Sequence, residues 1–112
     1  METLKISYVN IRGQTGLQIG KQLQIEEFLK HSKSDILNLQ ETHIDSDTFS
    51  DCHFITSNYS VISNNARNKY GTASLVKSDL MVENLIMDTE GRVIVFEIEG
   101  VTFCKCLPAL RY

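Results

Sequence analysis

The pattern of hydrophobic and polar positions changes its period twice in the first part of the chain. Apolar and polar residues alternate from Leu4 to Val9, which is typical of a β-strand. From about Gly20 to His31 the apolar residues recur at helical spacing. This apolar stripe consists of Leu17, Leu23, Ile25, Phe28 and Leu29. A short apolar run over Asp35 to Gln40 then indicates a buried strand, so the sequence predicts a β-α-β unit.

After an acidic stretch that begins at Glu41, the pattern favours strands as far as Cys106. Short polar or glycine-containing breaks separate these segments, which is typical of antiparallel hairpins. The predicted strands are His53–Thr56, Tyr59–Ser63, Thr72–Lys77, Met81–Met87, Arg92–Glu99 and Val101–Cys106. We therefore expect a mixed α/β fold in which a β-α-β unit is followed by antiparallel strands.

The composition is that of a folded chain and excludes several classes of protein. A length of 112 residues suffices for one small domain or for part of a larger one. Hydrophobic residues make up 42% and charged residues 22%, which argues against disorder. The net charge of -3 excludes a generally basic nucleic-acid coat protein but allows a local basic patch. Because there is neither a membrane-length apolar run nor an apolar leader, we expect a nuclear or cytoplasmic protein that is not secreted and binds no membrane.

Two polar residues directly follow the two strands of the β-α-β unit: Asn10 follows the first and Glu41 the second. A crossover connection places the two strands parallel, so both residues are expected at the carboxyl edge of the sheet, where ligands bind in open α/β folds. An amide oxygen and a carboxylate are hard donors that suit Mg²⁺, which keeps several of its waters. The pattern alone leaves a plainer alternative open, in which Asn10 caps a loop and Glu41 is solvated.

Two longer stretches surround these residues, Ile6–Gly13 (ISYVNIRG) and Asp35–His43 (DILNLQETH). Together they resemble the endonuclease/exonuclease/phosphatase superfamily. The second is most similar to the apurinic-type endonuclease domain of non-LTR (LINE-like) retrotransposons. Two later segments resemble central strands of the same family in the same order: Lys69–Val76 (KYGTASLV) and Gly91–Ile98 (GRVIVFEI). The resemblance extends to about Phe103.

The resemblance implies a fold, a reaction and two site residues. The implied fold is a four-layer α/β sandwich of two packed sheets, and residues 1–112 would be its N-terminal half, a partial domain. The implied reaction is Mg²⁺-dependent hydrolysis of phosphodiester bonds in DNA, with Mn²⁺ as an alternative cofactor. Glu41 matches the metal-binding glutamate of the family, and Asn10 matches the asparagine that supports the metal and phosphate site. Both are therefore the expected catalytic and metal-binding residues.

The sequence also departs from the family pattern. Arg12 stands where the apurinic-repair branch often has an acidic residue, which favours either the retrotransposon-like branch or the loss of an auxiliary contact. The family's second half carries a catalytic tyrosine, a Gly-Asp-x-Asn motif and a Ser-Asp-His motif, and we find none of these in the sequence. We therefore expect a truncated endonuclease domain that is inactive, or nearly so, by itself. Its sheet would have an uncovered face at residues 72–77 and 92–98, through which it self-associates.

Several alternatives stay open from the sequence. The same fold occurs in phosphatases and phosphodiesterases that act on phosphoinositides or similar molecules, which is one alternative to the endonuclease. A noncatalytic retroelement remnant is another. A cluster of acidic and histidine residues could form a separate metal site, because alternate positions of an extended segment point the same way. The cluster comprises Glu41, His43, Asp45 and Asp47. The polar segment Asn64–Tyr70 could contact a DNA backbone.

Overall fold

The computed structural model describes residues 3–10, 19–40, 47–65, 71–88 and 93–106. In chain order the elements are β1 (Ile6–Asn10), α1 (Ile19–Ser32), β2 (Ile36–Gln40), α2 (His53–Asn58), β3 (Tyr59–Asn65), β4 (Gly71–Lys77), β5 (Glu83–Met87), β6 (Val93–Ile98) and β7 (Val101–Cys106). The predicted β-α-β unit is confirmed, and so are the strands predicted after Tyr59. Within these ranges, neither helix combines the length and the apolar character that crossing a membrane requires.

The strands form two sheets, the first in the order β1-β2-β4-β3 and the second in the order β5-β6-β7. β1 and β2 are parallel, as a crossover through α1 requires, while the later pairs are antiparallel. In the first sheet β4 lies between β2 and β3, so this sheet is not a simple meander. β6 and β7 form a hairpin whose two turn residues, Glu99 and Gly100, have positive φ angles of 52° and 79°.

One predicted strand is wrong, because His53–Thr56 lies in α2. The residue at the N-cap position of this helix, Cys52, makes no side-chain cap bond. The cap comes instead from α1, where Oε2 of Glu26 accepts the backbone N–H groups of Phe54 and Ile55 at 3.0 and 3.4 Å. The helix therefore depends on a tertiary contact that the local pattern does not contain.

The buried face of α1 differs from the predicted apolar stripe. Its buried residues are Gln22, Ile25, Glu26 and Leu29, which follow helical spacing. Leu23 and Phe28, which the prediction placed on the stripe, are 48% and 41% exposed. Leu17 lies outside the described residues. The face rotates in this way because Glu26 points inward to cap α2.

Two apolar cores lie on opposite faces of the first sheet. The core on the helix side includes Leu29, Leu37, Leu39, Phe49, Ile55 and Leu75. The core between the sheets is formed by Ile36, Val76, Ile94, Phe96 and Ile98. The helices, the first sheet and the second sheet are therefore three successive layers.

The prediction of an uncovered sheet face at residues 72–77 and 92–98 is wrong. Residues 71–76 of β4 are all buried, and in β6 every second side chain is buried against the first sheet. The second sheet covers the face that a single sheet would have left exposed. The buried sides of β4 and β6 therefore offer no surface for self-association.

Candidate metal and phosphate site

The first two strands end side by side at one edge of the first sheet. Their parallel register pairs Asn10 with Gln40, the residue that precedes Glu41. This arrangement confirms that the carboxyl ends of β1 and β2 meet, as the crossover predicts. Glu41, His43 and the side chain of Asn10 lie outside the described residues. The roles of Asn10 and Glu41 as metal ligands therefore stay predictions, and so does the separate acidic cluster.

A row of polar residues continues from this point across the whole sheet. Gln40 pairs with Thr72 of β4, and Thr72 pairs with Asn64 of β3. Directly paired residues of antiparallel strands have Cβ atoms about 4.5–5.5 Å apart. Strand alternation puts Thr72 on the same face as Val76, which packs in the core between the sheets. The polar row therefore marks one end of the space between the two sheets.

Asn64 fastens the two sheets together at this end. Its Nδ2 donates to the backbone oxygen of Asp88 at 3.1 Å, to Oδ1 of Asp88 at 2.8 Å and to the backbone oxygen of Val93 at 2.9 Å. The same Oδ1 of Asp88 accepts the backbone N–H of Val93 at 3.1 Å. The sequence pattern placed Asn64 in a loop that could contact DNA. The structure instead places it in β3, with its amide nitrogen bonded inside the protein.

Thr72 is fully buried, and its hydroxyl oxygen Oγ1 has no hydrogen-bond partner among the described residues. Ser74, two residues further along the same face, contrasts with it because the Ser74 hydroxyl donates to Oδ1 of Asn38 at 2.5 Å. A buried hydroxyl without a partner costs about 1–3 kcal/mol of stability. Such a group in a folded protein calls for an explanation, and a bound water or ion is one. No sequence pattern pointed to Thr72, because its unpaired hydroxyl depends on the packing of two sheets.

The types of residue that the sequence predicts at this edge would suit a hydrated divalent cation. Mg²⁺ takes one or two carboxylates, accepts other hard oxygen ligands and retains several waters. Glu41 would supply the carboxylate and Asn10 the amide oxygen, while the Thr72 hydroxyl can bond a water. Among the residues with described positions, no group of three or more His, Cys, Asp or Glu side chains could hold an ion.

The opposite end of the sheet, around Asp35, is closed by hydrogen bonds within the protein. The carboxylate of Asp35 accepts the backbone N–H of Lys5 at 2.8 Å, and the Tyr59 hydroxyl donates to the backbone oxygen of Ser34 at 2.5 Å. Burial raises the pKa of Tyr59, and the negative charge of Asp35 raises it further. These groups stabilise the fold, which leaves the polar row as the candidate site.

Similar folds occur in two AP endonucleases and a 3′ phosphatase whose structures have been solved. The AP endonuclease LMAP from Leishmania major has a TM-score of 0.70 and 20% identity, with 95% of this chain and 40% of that chain covered. The AP endonuclease from Archaeoglobus fulgidus gives 0.66 and 22%, with 91% and 40% covered. The 3′ phosphatase NExo from Neisseria, solved with a product DNA hairpin, gives 0.59 and 21%, with 91% and 40% covered.

These similarities establish the fold. The chain spans 40% of the length of each of the three structures. No protein-family model matches the sequence, and no curated protein matches it either. The fold class implied by the sequence resemblance is confirmed, while the LINE-like branch stays a prediction. The chain has the mixed α/β architecture of the N-terminal part of the endonuclease/exonuclease/phosphatase fold.

Proposed function

We propose that the chain carries one side of the divalent-metal site of a DNA phosphodiester hydrolase, with Asn10 and Glu41 as its ligands. The observation that carries the proposal is the pairing of Asn10 with Gln40, since Glu41 is the next residue of that strand end. Mg²⁺ is the proposed ion, and Mn²⁺ is an alternative with the same preference for oxygen ligands. DNA is the proposed substrate because the solved structures of this fold include AP endonucleases and a phosphatase with a DNA hairpin.

Each of the two residues has a distinct proposed task. The carboxylate of Glu41 binds the cation directly, and the side-chain amide of Asn10 supplies an oxygen ligand and an N–H donor to a phosphate oxygen. A bound cation polarises a phosphoryl oxygen and stabilises the leaving oxyanion. Hydrolysis also requires a base that activates water, and neither ligand provides one. We therefore propose that the 112-residue chain binds metal but does not hydrolyse DNA by itself.

The LINE-like branch is proposed on the run from Gln40 to His43, which is the most specific part of the resemblance. A phosphatase or phosphodiesterase of the same fold would use the same two ligands, and no described contact favours it. A noncatalytic remnant would keep the fold without the metal. Binding measurements with DNA and with an inositol phosphate separate these interpretations.

We also propose that the chain self-associates through β5 and its surroundings. All five residues of β5 are exposed, and in the second sheet this strand is at the edge. The exposed large apolar residues in or next to β5 are Met81, Leu85, Ile86 and Met87. An exposed apolar edge strand offers unpaired backbone groups to a second copy of the chain.

Fluorescence anisotropy with a labelled DNA duplex tests the proposed substrate. Because the chain carries a net charge of -3, DNA should bind weakly in EDTA and about tenfold more tightly in Mg²⁺, which bridges carboxylate and phosphate. Glu41→Gln should abolish the gain from Mg²⁺. Asp79→Asn is the matched control, because it removes the same charge from an exposed turn at the other end of β4.

Two results would favour the alternative interpretations. An inositol phosphate that competes at the same phosphate concentration as DNA would favour the phosphatase branch. DNA binding that is equal in EDTA and in Mg²⁺ would favour the noncatalytic remnant.

A further inference from the structure

We propose that Thr72 is a positioning residue of the candidate metal site. Its hydroxyl holds a water of the hydrated cation and thereby fixes the cation against the ends of β1 and β2. The inference rests on the proposed function, because it requires a divalent cation near Asn10 and Glu41. It assigns a role to a side chain that neither the sequence pattern nor the fold comparison singles out.

The position of Thr72 in the sheet supports this role. Thr72 pairs directly with Gln40, so one peptide bond separates its partner from Glu41. Its side chain is on the face between the sheets, as Val76 on the same face shows by packing there. The hydroxyl is thus buried on β4, directly next to the end of β2.

The neighbours of Thr72 leave its hydroxyl available. Asn64, the partner on the other side, uses its Nδ2 group on Asp88 and Val93. Ser74, on the same face, is bonded to Asn38. Among the residues that the structure describes, Oγ1 of Thr72 is therefore an unpartnered polar atom at a fully buried position, beside two neighbours whose side chains are bonded.

The chemistry of a hydroxyl favours a water as its partner. A threonine hydroxyl can donate one hydrogen bond and accept others, which matches a water molecule. Mg²⁺ and Mn²⁺ keep waters when they are held by few protein ligands, and outer partners of a metal site contribute to its affinity. A valine of the same shape would remove the unpaired hydroxyl, so we expect the hydroxyl to lower the stability of the metal-free protein.

Mn²⁺ binding and metal-free stability of the full chain test the role together. Thr72→Val should raise the metal-free midpoint of thermal unfolding, or leave it unchanged, and should weaken Mn²⁺ binding about three- to tenfold. Thr72→Ser should keep the wild-type affinity, because it restores the hydroxyl. Thr72→Ala, a second hydroxyl deletion, should weaken Mn²⁺ binding as Thr72→Val does.

The matched control is Ser74→Ala, which deletes a hydroxyl on the same face that is already bonded to Asn38. It should lower the unfolding midpoint and leave the affinity for Mn²⁺ unchanged. If Thr72 had a purely structural role, its variants would change the unfolding midpoint without changing the affinity for Mn²⁺, as we expect for Ser74→Ala.

The outcomes separate this inference from the proposed function. If Glu41→Gln weakens Mn²⁺ binding while Thr72→Val and Thr72→Ala both keep the wild-type affinity, the metal site stands and the role of Thr72 is wrong. If wild type and Glu41→Gln bind Mn²⁺ equally, the metal site itself is wrong and the role of Thr72 is overturned with it.

Discussion

The carboxylate of Glu26 in α1 caps α2, because its Oε2 accepts the backbone N–H of Ile55 at 3.4 Å and that of Phe54 at 3.0 Å. These N–H groups are among the first of the helix, which have no partners within it. Cys52 at the N-cap position does not supply a side-chain bond. A single acidic residue of one helix thus fixes the start of the other.

Replacing Glu26 by alanine should destabilise the protein. The change leaves two N–H groups of α2 without their acceptor, and loss of a cap lowers the free energy of unfolding by about 1–2 kcal/mol. Urea denaturation measures the difference. Glu27→Ala is the control, since Glu27 is an exposed acid of the same helix with surface contacts to Lys30 and His31, and it should change the value by less than about 0.5 kcal/mol. Equal effects of the two variants would contradict the cap.

This cap shows where the sequence pattern stops being sufficient. α1 and β2 were predictable, because their periodicity lies within one stretch of chain. α2 was not predictable, because its acceptor lies 28 residues before Phe54, and the isolated segment from His53 to Thr56 is short and β-prone. The inward position of Glu26 also explains why the buried stripe of α1 was misplaced.

The candidate site also has a part that the sequence predicts and a part that it does not. The sequence was sufficient to predict Asn10 and Glu41 at one edge of the sheet, because a β-α-β crossover fixes where its two strands end. The bonds of Asn64 could not be predicted, because Asp88 and Val93 are 24 and 29 residues away in the chain. The unpaired hydroxyl of Thr72 likewise results from the packing of the second sheet on the first.

Asn64→Asp should loosen the contact between the two sheets. The variant loses an N–H donor to two backbone oxygens and places a carboxylate beside that of Asp88, which should lower the free energy of unfolding by about 2–3 kcal/mol. The backbone N–H of Val93 donates a hydrogen bond to Asp88, and hydrogen exchange at this N–H should become faster. Asn84→Asp is the control, because Asn84 is exposed and its φ of 53° is one that aspartate also adopts. Unchanged exchange at Val93 in Asn64→Asp would contradict the role of Asn64.

The wild-type protein should lose stability as the pH rises into the alkaline range, and Tyr59→Phe should lose less. Burial, together with Asp35, raises the pKa of Tyr59 above its ordinary value of 10.0 in the folded protein. The unfolded chain therefore loses this proton first. The stabilisation from protonated Tyr59 is complete below about pH 10 and is lost as the pH rises through the folded-state pKa.

Urea denaturation between about pH 8 and about pH 11 measures this effect. At the lower pH the variant should be about 1 kcal/mol less stable, because the backbone oxygen of Ser34 loses its donor. The difference from wild type should shrink as the pH rises. A difference that stays constant over the whole range would show that Tyr59 does not titrate as argued.

Self-association through β5 should depend on protein concentration. Sedimentation velocity should show a shift to larger species as the concentration rises. Ile86→Lys should restore the monomer, because it places a charge on an exposed edge strand. Leu23→Lys, at an exposed apolar position of α1, should behave as wild type. A wild-type monomer at all concentrations would refute this surface.

The most direct test of the metal site is a Mn²⁺ titration of the wild-type chain, Asn10→Ala, Glu41→Gln and Asp79→Asn, followed by the electron paramagnetic resonance signal of the free ion. The wild type should bind Mn²⁺, and Glu41→Gln should bind it at least about tenfold more weakly because the cation loses its carboxylate ligand. Asn10→Ala should weaken binding to a smaller extent. Asp79→Asn should bind as wild type does. Equal binding by wild type and Glu41→Gln, or equal weakening in Glu41→Gln and Asp79→Asn, would contradict a metal site at the ends of β1 and β2.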